Sequence, residues 1–255
     1  MGVRFGSIAS GSAGNALLVE VGKTRVMVDC GLGLGVARER IAQRGWEPES
    51  IAAILVTHEH SDHISGVEKF ARKHGTKVIA SYGTLSFLGD ALNPEQYVEI
   101  DGHQAFAVDD VWVEPYCVPH DAREPLQYVL GDGNARLGIL TDVGRSTPHI
   151  EHTLSDCDAL ILECNHDEEM LMGGPYQYAL KKRVIGPFGH LSNVAAASLL
   201  GRLQRARLKH LIAAHLSQQN NTEELARKAL AEVMGCSNDW VGVATQEEGF
   251  DWRDI

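Results

Sequence analysis

The chain has 255 residues, 44% of them hydrophobic, and a formal net charge of -11; that content is ordinary for a globular fold with a sizeable core, and no apolar run approaches the ~18 residues of a membrane span. Net acidity argues against a nucleic-acid footprint spread over the whole surface, and five scattered cysteines without a CxxC pair argue against a disulfide framework or a structural zinc knuckle. The N-terminus has no basic region leading into an apolar stretch and a cleavage site, so the expected address is the cytoplasm, with no membrane partner.

Taken in order, Val3 to Ala9 has strand character and runs into the small-residue loop Ser10-Gly-Ser-Ala-Gly-Asn15, where backbone can turn tightly or approach a ligand. Asn15 to Val21 and Thr24 to Val28 form a predicted hairpin around Gly22-Lys23, ending in Asp29-Cys30-Gly31. A short helix from Gly35 to Gly45 precedes an apolar run, Ile51 to Val56, that reads as a buried strand and stops at Thr57-His-Glu-His-Ser-Asp-His63. Ser65 to His74 then carries Val67, Phe70 and Ala71 at helical spacing. Lys77 to Ser81 is a strand with a short helix after it, and Tyr97 to His120 is rich in β character with a turn at Asp109-Asp110. A hairpin around Gly131 to Asn134 ends in Thr141-Asp142-Val143-Gly144. The second half predicts a strand at Ala159 to Leu162, a helix from about Glu168 to Lys182, and a helix opened by Gly189-His-Leu-Ser-Asn193 and running to about Arg207. A strand from Leu211 to Ala214 ends in His215, and a helix, Thr222 to Met234, and a strand, Val241 to Thr245, follow. No linker rich in Pro, Gly or Ser interrupts this order, so residues 1–255 are expected to form one domain of two mixed β-sheets packed together with helices outside.

The chemistry is concentrated at strand ends. His58, His60, Asp62 and His63 offer four potential ligands within six residues, of the nitrogen and oxygen type that zinc, iron or manganese accepts. His58 and His60 can point together from an extended stretch, with Asp62 and His63 turned toward a second ion. One motif cannot fill two coordination spheres, and His120, Asp142 and His215, each just after an apolar strand, are the candidates to complete them. His74, His103, His149, His152 and His210 lie in polar or helical settings and are left as solvated or hydrogen-bonded residues. From Met170 to His210 there are seven basic residues, including Lys181, Lys182, Arg183 and Arg202, and no acid; this is either a solvated helical face or a local anion-attracting patch.

HEHSDH at 58 to 63 resembles the HxHxDH signature of the metallo-β-lactamase superfamily, and His120, Asp142 and His215 fall in its order. SGSAGN, VDCG at 28 to 31, PHDA at 119 to 122, LECNHDEEML at 162 to 171, GHLSN at 189 to 193 and HLSQQNN at 215 to 221 together resemble the YycJ/WalJ/VicX branch over nearly the whole chain. The resemblance implies an α/β fold, the four-layer αββα sandwich, and two divalent ions per chain (Zn, Mn or Fe). His58, His60 and His120 would serve one ion, Asp62, His63 and His215 the other, with Asp142 bridging. Asp29 would orient the ligand turn by hydrogen bonding, unless it is a plain strand-end cap.

It further implies a binuclear metal-dependent phosphodiesterase, a 5′ to 3′ exonuclease on DNA or RNA in which a metal-bridged hydroxide attacks phosphorus. In that scheme Asp62 also orients the nucleophile. His190, at a predicted helix start, holds a phosphate oxygen or protonates the leaving group, its alternative being a helix cap. Ser192, Asn193, Lys181, Lys182 and Arg183 would bind substrate, with affinity that falls steeply with salt. Two other readings stand beside it: a hydrolase of a small thioester or lactone, and a non-catalytic regulatory binding module.

Overall fold

The computed structural model describes residues 2–255. The opening strand forms as β1 (Val3–Ala9), and the hairpin as β2 (Ala16–Val21) and β3 (Thr24–Val28), paired from Leu17↔Val28 to Val21↔Thr24 with Gly22 turning at φ 60. Three parallel strands continue the sheet: β4 (Ala53–Leu55), β5 (Lys77–Ala80) and β6 (Tyr97–Glu99). The second sheet repeats this plan. Antiparallel β7 (Phe106–Val108), β8 (Val111–Cys117), β9 (Leu126–Gly131) and β10 (Arg136–Leu140) lead into parallel β11 (Ala159–Glu163), β12 (His210–Ala214) and β13 (Gly242–Val243). A closing strand not anticipated from sequence, β14 (Phe250–Asp254), pairs antiparallel with β1 and completes the first sheet.

Alternation within single strands explains why the sheets stack. Val26 and Val28 of β3 join Phe5, Leu55, Tyr128, Ile139 and Ile161 between the sheets, while Met27 faces outward. The outer face of the first sheet, with Met27 and Ile54, is covered by α1 (Leu34–Gln43) and by α3 (Val67–His74), which follows the single turn α2 (Ser61–Ile64). Val67, Phe70 and Ala71 are the buried residues of α3, as their spacing predicts. α4 (Tyr82–Leu88) is capped by the Ser81 side chain. On the second sheet α5 (Pro148–Leu154), which the sequence reading passed over, starts at a Thr147 cap with Pro148 in its first turn.

Two predicted helices are shorter than expected. The one over 168–182 breaks at Gly173-Gly174-Pro175 into α6 (Glu168–Gly173), capped by Asp167, and α7 (Tyr178–Val184), which has no buried residue. The one expected to reach Arg207, α8 (Asn193–Arg202), stops because the chain turns to pair with the loop after α5, through Gln204 N–H to Ser155 Oγ and Asp156 N–H to Gln204 O. α9 (Glu223–Met234) runs from its Thr222 cap to left-handed Gly235 and packs with α8 over Leu160 and Leu211. The result is the α/β/β/α layering expected. Among the described residues no helix is long and apolar enough to cross a membrane.

Candidate metal centre

Polar residues from strands of both sheets meet at one edge of the sandwich: Asp29 after β3, the 57–63 turn after β4, His120 after β8, Asp142 after β10, Glu163 at the end of β11 and His215 after β12. Asp29, Asp142 and His215 have φ of 59, 54 and 56. Left-handed backbone costs a non-glycine residue about 1–2 kcal/mol, so three such residues at one edge are held there by what their side chains and neighbours do. The ligand turn is docked as tightly: Asn15 N–H donates to Asp62 O at 2.8 Å and Cys30 N–H to His63 O at 2.8 Å. Gly31 has to be glycine, because a Cβ there would lie 1.8 Å from Asp62 O.

Each candidate histidine has one ring nitrogen engaged by the scaffold. His63 Nδ1 donates to Asp29 Oδ2 at 2.7 Å, and Asp29 also accepts Thr57 N–H at 2.8 Å and the Thr57 hydroxyl at 2.9 Å. His58 Nδ1 faces Thr57 Oγ1 at 3.0 Å, His60 Nε2 the Asp121 carbonyl at 3.1 Å, and His120 Nδ1 the Gly189 carbonyl at 3.1 Å. His215 Nδ1 lies 3.5 Å from Glu163 Oε1. With the protons on those sides, the opposite nitrogens turn inward as lone pairs, the arrangement that prepares imidazole for a cation.

The inward atoms form two groups, each within 4.8 Å of one another: His58, His60 and His120; and Asp62, His63, Asp142 and His215. His60 Nδ1 and His120 Nε2 are 3.2 Å apart, two acceptors that only a proton or a cation between them can reconcile. His58 Nε2 and Asp142 Oδ2 are buried with no hydrogen-bond partner among the described residues, although Asp142 Oδ2 is 2.9 Å from His63 Nε2. This donor set fits divalent metal binding. The charge pattern agrees: burial alone would raise the Asp142 and Asp62 carboxyls, but the His215 and His63 rings hold both well below the usual range. Burial would lower His215, yet Asp142, Asp62 and Glu163 raise it to about 10, and His63 rises through Asp142 and Asp29. Burial and the neighbouring His63 charge push His58 well down.

Above this floor lies an open cleft of about 310 Å³ whose walls include Ser12, Ser61, Arg183 and His190. His190 Nδ1 is 2.8 Å from Glu163 Oε1. Despite burial, that carboxylate raises the His190 pKa, while His190 brings Glu163 down to about 2. Glu163 lies in the LECNHDEEML stretch but has no role assigned from the sequence, although it carries the same signal as Asp142, a carboxylate ending an apolar strand. It is fully buried and accepts the N–H groups of Asp142, Val143 and Leu191 at 3.0–3.1 Å. Asp142, Glu163, His190 and His215 also lie close enough to hold an ion, but the Glu163 oxygens are already taken by these donors.

The substrate residues expected from sequence fare unevenly. Arg183 lines the cleft, its Nε held by Asp121 Oδ2 at 2.6 Å. Lys182 is exposed beside the cleft-lining helix residues, with Nζ 4.9 Å over the Tyr178 ring. Lys181 Nζ is engaged within the chain, donating to Met172 O and Gly174 O. Ser192 and Asn193 are engaged within the chain: Ser192 caps α8 and donates to Glu168, and buried Asn193 exchanges hydrogen bonds with Asn221. The acid-free stretch is not a continuous basic patch, because acids distant in sequence neutralise it: Arg202 pairs with Glu151, and Arg207 and Lys209 with Asp158.

Residues 24–215 match the family described as a beta-lactamase superfamily domain. The chain is 34% identical over 248 residues to the exodeoxyribonuclease YycJ of Bacillus anthracis, covering 96% of this chain and 94% of that one. It is 33% identical over 250 residues to the exodeoxyribonuclease WalJ of Streptococcus pneumoniae serotype 2, covering 95% and 92%. Among solved structures, the metallo-β-lactamase fold protein YhfI of Bacillus subtilis superposes with a TM-score of 0.77 over the full length of both chains at 16% identity, a likeness of fold.

Proposed function

The chain belongs to the metallo-β-lactamase superfamily, in the branch of the YycJ and WalJ proteins, and from that membership we propose that it is an exodeoxyribonuclease that removes nucleotides from 5′ ends with the help of two divalent ions. It is a metal-dependent hydrolase. The observation that carries the finer reading is identity along nearly the whole chain to two relatives named exodeoxyribonuclease, joined to a histidine aimed into the cleft beside the ligand cluster.

His58, His60 and His120 would hold one ion, Asp62, His63 and His215 the other, and Asp142 would face both. Ions held there would supply a water of lowered pKa and stabilise negative charge on the phosphoryl oxygens. Asp62, ionised and partly open to the cleft, accepts a hydrogen bond from the attacking water and orients it. His190, whose pKa the hydrogen-bonded Glu163 carboxylate raises, gives its proton to the departing sugar oxygen. Arg183 offers its outer guanidinium edge to a phosphate, because Asp121 occupies Nε.

The test is metal-loaded protein assayed on 5′- and 3′-labelled DNA and RNA, a chromogenic phosphodiester and a lactone. Mononucleotides released from 5′ ends are expected; turnover of the lactone alone would remove the nuclease reading. With Arg183 and Lys182 as the two phosphate contacts, the logarithm of apparent affinity for single strands should fall with log salt with a slope of about -1.4, about 0.7 for each of two contacts. A slope several times steeper would mean that the phosphate contacts lie elsewhere.

Loading should also release protons. In protein stripped with a chelator, the surrounding carboxylates raise the pKa of both His63 and His215, that of His215 to about 10. A metal ligand must be deprotonated, so protons, that of His215 among them, should leave on loading near pH 7, and affinity should weaken as pH falls. Calorimetric titration in buffers of different ionisation enthalpy reads their number, and a value of zero would contradict the ligand assignment.

A further inference from the structure

The small-residue loop Ser10–Asn15 is not used by the mechanism above, yet it forms part of the cleft wall through Ser12. Its shape is fixed from three sides. Asn15 closes it internally, with Oδ1 accepting Gly11 N–H at 2.8 Å and Nδ2 donating to Gly11 O at 3.0 Å. Ser10 ties it to the ligand strand, its hydroxyl accepting His215 N–H at 2.9 Å. The third support comes from the far end of the chain: Gln246 Oε1 accepts Ala13 N–H at 2.8 Å, and Gln246 Nε2 donates to Gly14 O at 2.8 Å.

Gln246 is itself held. It sits in the turn between Thr245 and Gly249, which hydrogen-bond to each other in both directions at 3.0 Å; Thr245 O accepts Ser10 N–H and Gln246 O accepts Arg40 Nη1. Gly11, at φ 142, accepts this clamp only because it is glycine, since a Cβ would lie 2.6 Å from Gln246 Oε1. The N–H groups of Ser10, Gly11, Ala13, Gly14 and Asn15 and the side chains of Ser10 and Asn15 thus all have partners. Ser12 is the exception: among the described residues neither its N–H nor its hydroxyl has a partner, and it faces the same cleft as Asp62, Asp142 and His190.

We infer that Ser12 is a substrate-binding residue that donates to a non-bridging oxygen of the phosphate in the cleft, and that Gln246 is the positioning residue that holds it there. The inference rests on the phosphodiester reading. An anion suits two neutral donors on a rigid loop, because they need not be desolvated as charges and lose little freedom on binding. Other hydrogen-bonding residues of the loop are occupied in shaping it, which leaves Ser12 as the group presented to a ligand.

The experiment uses metal-loaded full chain as wild type, Ser12→Ala, Gln246→Ala, Gln246→Glu and the Ser12→Ala/Gln246→Ala double variant. It measures binding of thymidine 5′-monophosphate by calorimetry and KM and kcat on a labelled single-stranded oligonucleotide. Loss of one neutral hydrogen bond should weaken nucleotide binding and raise KM by about fivefold, with the change in KM rather than kcat. Gln246→Ala should match Ser12→Ala, Gln246→Glu should fall between it and wild type because the acceptor for Ala13 survives, and the double variant should be no worse than either single one. Wild-type affinity in Ser12→Ala overturns the inference, and effects that multiply in the double variant overturn the positioning role of Gln246. If the wild type binds the nucleotide but degrades no oligonucleotide, the exonuclease reading fails while the binding arm still decides Ser12. No nucleotide binding by the wild type overturns both.

Discussion

Replacing Asp142 with alanine is expected to lower kcat on every phosphodiester by on the order of 10³-fold or more, at least what a single preorganised electrostatic group contributes to a catalytic site, and to lower the metal content of the purified protein. Asp142 is 2% exposed and central to the ligand cluster. Its Oδ2 is 2.9 Å from His63 Nε2, and its Oδ1 is 3.6 Å from His215 Nε2, 3.9 Å from His120 Nε2 and 3.5 Å from His190 Nδ1. It lies within 3.9 Å of a histidine from each of the two ligand groups. Alanine also meets a backbone penalty at φ 54 of about 1–2 kcal/mol. Asp142→Asn separates the two effects, since asparagine tolerates the left-handed region and keeps the side-chain shape while removing the anion. Elemental analysis after dialysis and thermal unfolding with and without added metal provide the readouts. If Asp142→Asn keeps wild-type metal content and activity within tenfold, Asp142 is not a shared ligand.

The fold and the ligand cluster were legible because the same local signal repeats. An apolar run that ends abruptly in His or Asp predicts a buried strand with a functional side chain at its tip, and β4, β10 and β12 end that way. The extended stretch at His58 and His60 and the helical turn at Asp62 and His63 follow the division read from their spacing. What the sequence hid are relations between distant segments. Lys181 looks like a free cation until the end of α6 and the loop after it offer the Met172 and Gly174 carbonyls, and Arg202, Arg207 and Lys209 look like a patch until Glu151 of α5 and Asp158 before β11, distant in sequence, come beside them. Local charge counts do not see partners that topology supplies. The partners of Ser192 and Asn193 were hidden for a related reason: small polar residues at a helix start satisfy the helix and its neighbours before they meet a ligand.

Glu163 is the residue that ties these hidden relations together, and its replacement by alanine is expected to destabilise the protein by about 4 kcal/mol. The side chain is fully buried and accepts three backbone N–H groups, those of Asp142, Val143 and Leu191, in addition to His190 Nδ1. Each buried donor left without an acceptor costs about 1–3 kcal/mol, and water entering the cavity recovers part of the sum. The loss is larger than an ordinary core truncation because these donors belong to the loops that carry Asp142 and His190, so both would lose their aim at once. Glu163→Gln gives the functional half of the test. It fills the same space but puts an amide NH₂ among donors and withdraws the charge that raises His190. With His190 as the proton donor, activity falls as pH rises through its pKa, so the alkaline limb of the pH–rate profile should move to lower pH in Glu163→Gln, with kcat down about 10- to 100-fold as for other residues that orient a site. An alkaline limb that stays where it is in the wild type would remove His190 from the proton transfer and leave Glu163 as a brace for the Asp142 loop alone.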